Sequence, residues 1–317
     1  MKKILKVVGI ILLIIVFALI GVASWISIGS SPTYEIISPE FTAIPDSVSL
    51  ERGSKIVRHV CAACHMGDDG KLSGSLFSTA EGDFGEIWSG NITKEPRYGI
   101  GDYTDKELVF LLRTGIKRDG KFAGPYMLKP NLSDEDIASI VEFLRSDDPI
   151  VSPSSESHPE PKPSFLAKAL EKLGVLKPEA YPVEKINTPS SHNTVEFGKY
   201  LATEVYECYN CHSASFETNN AREPEKSAGY FGGGNLIDMP TLGALVSPNI
   251  TMDMEDGIGK YSEEEFSEMV RHGIRPNDQE MTPLMPKYST LSDSEIHAIW
   301  EYLKTVPIIE KNQAAKI

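Results

Sequence analysis

Apolar residues in this chain fall into two patterns: one unbroken run at the start, then recurrences at helical spacing. No charge occurs from Val7 through Tyr34, and Val7 to Ala23 is nearly all Ile, Leu, Val, Phe, Ala and Gly. A secretory signal core is about 7–15 residues long, whereas a membrane-crossing helix needs about 20. The run therefore predicts a transmembrane helix over 4–28, with Trp25 as an interfacial anchor at its outer end. Lys2, Lys3 and Lys6 put the N-terminus inside and the rest of the chain outside. Val22-Ala23-Ser24 is an acceptable cleavage site, so removal of the segment after export is the alternative.

Beyond residue 38 no segment sustains a two-residue alternation with strand composition, and the body is predicted to be all-α. Leading helices are expected at about 48–60 and 194–207, with Gly53 and Gly198 inside them. Thr104-x-x-Glu107 and Ser262-x-x-Glu265 are capping boxes that open middle helices. Ser133 and Ser292, each followed by acidic residues, cap the last helices. Residues 149–189 are rich in Pro, Ser and Glu and read as a semi-rigid linker. Within it, Phe165 to Leu176 makes one amphipathic helix with Leu166, Leu170 and Leu173 on a face.

An internal repeat sets the domain organisation. Residues 91–129 align without gaps on 249–287, with 14 identities in 39 positions. Asn-Ile-Thr, Gly-Ile-Gly-x-Tyr, Arg-x-Gly-Ile and Pro-x-Met-x-Lys recur in one order. Two units follow, at 38–148 and 190–310, joined by the linker.

The chemistry sits at the head of each unit. Cys61-Ala62-Ala63-Cys64-His65 and Cys208-Tyr209-Asn210-Cys211-His212 use all 4 cysteines of the chain. The C-x-x-C-H spacing is the attachment signature of haem c: Cys61, Cys64, Cys208 and Cys211 form the thioethers, and His65 and His212 reach the two irons. One zinc shared by the four thiolates is the competing reading, but it explains neither histidine. Methionine is the usual second ligand in cytochromes c, and Met127 and Met285 hold the same repeat position. Met281, near Met285, is the rival ligand in the second unit. Arg113 and Arg271 also recur. They are candidates for the haem propionates, set against the plainer role of solvated helix arginines. Asn91, Thr93, Asn249 and Thr251 read as loop caps, and His59, His158, His192, His272 and His297 as surface residues.

Net charge is −14. Residues 38–148 carry 13 Lys/Arg against 19 Asp/Glu, and residues 190–317 carry 10 against 20. That balance argues against nucleic acid and favours partners with a basic docking face, or simply solubility.

On these motifs each unit resembles a class I cytochrome c domain, which implies three main helices around one haem and a distal methionine loop. The tandem is similar to the membrane-bound cytochrome c subunits of bacterial alcohol, aldehyde and gluconate dehydrogenases. The second unit carries their pattern at Asn249 to Asp253, Gly257 to Gly259, Tyr261 to Phe266 and Met285-Pro286. The first departs from it at Glu95 and Leu128. Those subunits usually have three haem motifs, and this chain has two. The resemblance implies a non-enzymatic electron carrier on the periplasmic side of the cell membrane. It would take electrons from a dehydrogenase or a quinol-linked complex and pass them to an oxidase or soluble cytochrome. A di-haem enzyme such as a bacterial peroxidase is the alternative.

Overall fold

A computed structural model describes residues 2–41, 47–79, 84–239 and 243–309. Helix α1 (Lys2–Ile28) is apolar on every side and long enough to cross a membrane. All its described side chains are exposed except Ile26.

The body is helix-rich, and its two units share one plan. In the first, α2 (Ser47–Ile56) passes through a π-helical turn, Val57–Cys61, into the short α3 (Ala62–His65). Then come α4 (Asp105–Thr114) and α5 (Asp134–Arg145). After the linker helix α6 (Phe165–Lys172), α7 (Thr194–Tyr200) passes through a second π-helical turn, Leu201–Val205, to α8 (Cys208–His212). α9 (Glu263–His272) and α10 (Asp293–Leu303) complete the second unit. Thr104 and Ser262 close the predicted capping boxes on α4 and α9. Ser133 Oγ accepts from the Asp136 N–H at the start of α5, and Ser292 forms a third capping box on α10.

The recurrent glycines mark where helices cross. α2 lies on α5 and α7 lies on α10. A Cβ at Gly53 would sit 1.9 Å from the Ser139 carbonyl oxygen, and one at Gly198 would sit 1.8 Å from that of Ala298. Only glycine lets the backbones approach so closely.

The all-α expectation needs correcting. β1 (Leu76–Ser78), β2 (Gly85–Trp88) and β3 (Lys162–Pro163) form one antiparallel sheet, in that order. β4 (Leu236–Met239) and β5 (Gly243–Val246) form a hairpin. Strands of two to four residues are too short to display a period of two, and this is why the pattern hides them.

The linker is less separate than its composition suggests. Its first part lies on the first unit: Leu72 N–H donates to the Ile150 carbonyl (2.8 Å), Lys94 N–H to that of Val151 (3.0 Å), and the His158 ring stacks on Trp88. Residue 310, the expected end of the second unit, lies outside the described residues.

The units also pack on each other. Asp136, on α5, receives a two-pronged contact from Arg52 of α2 (Nε–Oδ1 2.8 Å, Nη2–Oδ2 2.9 Å) and a hydrogen bond from the Tyr200 hydroxyl of α7 (2.6 Å). Arg52 Nη1 reaches Glu295 of α10 at 3.0 Å. Asp136 and Glu295 hold equivalent repeat positions, so both last helices meet at this junction. His59, expected at the surface, is buried there with its Nε2 2.7 Å from Thr290 Oγ1.

Candidate haem sites

Each C-x-x-C-H segment leaves its π-helical turn as a short helix, and each motif histidine is buried. A carbonyl can only accept, so His65 Nδ1–H donates to the Gly90 carbonyl (2.7 Å) and His212 Nδ1–H to the Pro248 carbonyl (2.9 Å). This fixes one tautomer and leaves Nε2 with its lone pair, as a metal-ligating histidine requires. Burial also lowers both imidazole pKa values, against the opposing effect of those carbonyls, and favours the neutral ligand form. Gly90 and Pro248 occupy equivalent positions just before Asn-Ile-Thr. Their role was invisible in the sequence, because any residue type supplies a backbone carbonyl.

In the second unit these groups open onto a cavity of about 270 Å³. Cys208, His212, Met281, Met285, Tyr206 and Tyr288 are among its lining residues. The wall is mainly apolar, which suits a porphyrin, and both candidate methionines reach it. The Tyr206 hydroxyl is buried without a hydrogen-bond partner, near Glu295 and Arg52. Met127 of the first unit lies in a 3₁₀ turn, Pro125–Met127, half-buried. Ala123 stands where the second unit has Met281: Ala123 N–H donates to Gly115 as Met281 N–H does to Gly273. Only Met127 and Met285 therefore recur as methionines.

Burial pushes the Cys61 and Cys211 thiols up to about 11 and Cys208 to about 12, and it raises Cys64 as well. Cys64 lies near enough to Cys211 to add to that rise. Among the described residues, no three of the four cysteines and two motif histidines are close enough to share one ion. The two cysteine-pair-plus-histidine sets fit haem c.

Arg113 and Arg271 do different work from that expected. Arg113 is fully buried, its Nη1 donating to the Leu132 and Lys129 carbonyls and its Nη2 to Asp134. Arg271 Nε donates to the Leu291 carbonyl (2.9 Å) and Nη2 to Asp293 (2.7 Å). The acceptors lie between the methionine and the first residue of the last helix. Each arginine thus ties the middle helix to the methionine loop, and the propionate assignment gives way to a strut. The Asn-Ile-Thr loops are self-stapled: Thr93 donates twice to Asn91 Oδ1 and Thr251 twice to Asn249 Oδ1.

Two contacts that sequence reasoning missed lie between the motifs. Lys129, two residues beyond Met127, pairs with Glu207, the residue before Cys208. Asn131 Nδ2 donates to the Arg222 carbonyl at 3.0 Å. The first unit's methionine loop therefore rests beside the second unit's attachment motif.

Glu204, in the π-helical turn before that motif, has its pKa pushed up to about 7, mainly by burial, with hydrogen bonds from Thr203 and Asn131 opposing. The folded state thus holds this proton more tightly than the unfolded chain. Its contribution to stability is present below the ordinary value of 4.5 and is lost as pH rises through about 7. Glu204→Gln is expected to match the parent at pH 4 and to exceed it by about 3 kcal/mol at pH 8. Urea midpoints at the two pH values measure this.

Residues 50–147 match the cytochrome c family. A domain of that family carries covalently attached haem c, and the first C-x-x-C-H motif lies within the matched stretch. It is 29% identical over 270 residues to the fructose dehydrogenase cytochrome subunit of Gluconobacter japonicus, covering 82% of this chain and 53% of that one. It is 28% identical over 281 residues to the cytochrome c subunit of the quinone-dependent alcohol dehydrogenase of Gluconacetobacter polyoxogenes, covering 84% and 58%. A diheme cytochrome c-type protein of Cereibacter sphaeroides is 28% identical over 264 residues, covering 79% and 83%. The chain spans just over half the length of the two dehydrogenase subunits.

Proposed function

We propose that this chain is a membrane-anchored, di-haem electron carrier that works with a dehydrogenase. One haem c would belong to each unit, 38–148 and 190–310, held by Cys61, Cys64, His65 and Met127 in the first and by Cys208, Cys211, His212 and Met285 in the second. Bound there, haem c supplies reversible one-electron exchange at iron. The rest is done by the chain. Gly90 and Pro248 carbonyls orient the histidines, Arg113 and Arg271 hold the methionine loops, and Lys129 with Glu207 keeps the first loop against the second motif. α1 fixes the body to the outer face of the membrane, where it passes electrons to an oxidase or soluble cytochrome.

The observation that carries this reading is the recurrence of one methionine register in both units. A peroxidase needs one iron with an open or displaceable position, and two equivalent methionines leave neither iron set apart for that role. The relatives point the same way, since several are named as cytochrome subunits of dehydrogenases.

Purification of the full chain from its native membranes in mild detergent tests the reading. A flavin, quinoprotein or molybdenum dehydrogenase is expected to co-purify, and its substrate is expected to reduce the bound haem. Recovery of the chain alone, in the soluble fraction, would count against both the anchor and the partner.

A further inference from the structure

The amphipathic linker helix does not bury its apolar face. An amphipathic helix ordinarily turns its apolar stripe to the core. In α6 the buried residue is Ala167, while Phe165, Leu166 and Leu173 are 53%, 49% and 67% exposed, followed by Val175 at 64%. Lys168 and Glu171, on the other side of the helix, are only partly exposed, as is Lys172 at its edge.

The position of α6 says what covers that face. Lys172 Nζ donates to the carbonyls of Trp25 (2.7 Å), Ile26 (3.1 Å) and Gly29 (2.8 Å), where α1 ends and its last carbonyls run short of intrahelical donors. The same ammonium lies 5.3 Å from the centre of the Trp25 ring. Ser31 donates to Glu171 at 3.0 Å. α6 is therefore docked at the level of Trp25, and tryptophan at the end of a span belongs to the headgroup region. Ile36 and Ile37, on the segment leaving α1, add apolar side chains that are 48% and 53% exposed.

We propose that α6 lies in the plane of the membrane surface, with Phe165, Leu166, Leu173 and Val175 in the outer leaflet, as a second contact beside α1. The inference rests on the reading of α1 as a membrane span. The exposed face continues directly from the outer end of that span, and lysines flank it on the polar side, as in helices that lie on a bilayer. A single helix with a short exit segment would let the haem body swivel. Two contacts joined through Lys172 hold it at one height and tilt, which an electron carrier exchanging with fixed membrane partners requires.

The test places a photo-crosslinking phenylalanine analogue, one position at a time, at Phe165, Leu173, Lys168 and Leu19 of the full chain in native membranes. Lipid adducts are then read by mass spectrometry. Adducts are expected at 165, 173 and 19, with Lys168 giving several-fold less. Adducts at 19 but none at 165 or 173 would overturn the proposal and leave the span intact. Crosslinks from 165 or 173 to protein instead of lipid would overturn it in favour of a protein partner. No adduct at 19 would remove the membrane reading and this inference with it.

Discussion

Met285→Ala is expected to remove half of the weak long-wavelength sulfur-to-iron absorption of the oxidised protein and to lower the potential of one haem only. Thioether ligation raises the potential of a c-type haem, so its loss acts in the opposite direction. Met285 and Met281 both line the second cavity, and the choice between them rests on register: Met285 recurs as Met127, whereas the counterpart of Met281 is Ala123. Met281→Ala should therefore leave the absorption and both potentials near their original values. If Met281→Ala removes the band and Met285→Ala does not, the ligand of the second unit is misassigned. A redox titration followed across the visible spectrum reads both variants.

The second large effect is expected at the junction of the units. Asp136→Ala should cost about 3 kcal/mol, because it takes a buried carboxylate away from the Arg52 guanidinium, which keeps Glu295, and from the Tyr200 hydroxyl, which keeps Ser133. Asp136 is 4% exposed, against 19% for Arg52 and 10% for Glu295. Charge–charge contacts at the surface are worth at most about 1 kcal/mol, so burial is what makes this one matter. Chemical denaturation of the haem-loaded chain measures the Asp136 effect, and a loss under about 1 kcal/mol would show that the junction is solvated and adds little to stability.

Much of the site was legible because it is written in residue types. C-x-x-C-H needs two thiols and an imidazole at fixed spacing, and Met127 with Met285 stood out through the repeat. The helices were legible for similar reasons: capping boxes at Thr104 and Ser262 require particular side chains, and Gly53 and Gly198 mark crossings that exclude a Cβ. What stayed hidden depends on backbone or on partners distant in sequence. The carbonyls of Gly90 and Pro248 have no compositional signature. The strands are too short to show alternation. Arg113 and Arg271 recur as a propionate pair would, but recurrence alone cannot separate a cofactor contact from a strut. Arg52, His59 and Tyr200 do not recur at all, since a junction between two non-identical units uses different residues on its two sides.

Carbon monoxide binding to the fully reduced chain tests the central claim most directly. If each iron is held between histidine and methionine, as proposed, neither haem has a position to offer. The reduced spectrum should stay unchanged over the seconds in which an open haem would react. Rapid binding at one haem, accompanied by peroxide turnover, would contradict the account and make the protein a di-haem enzyme.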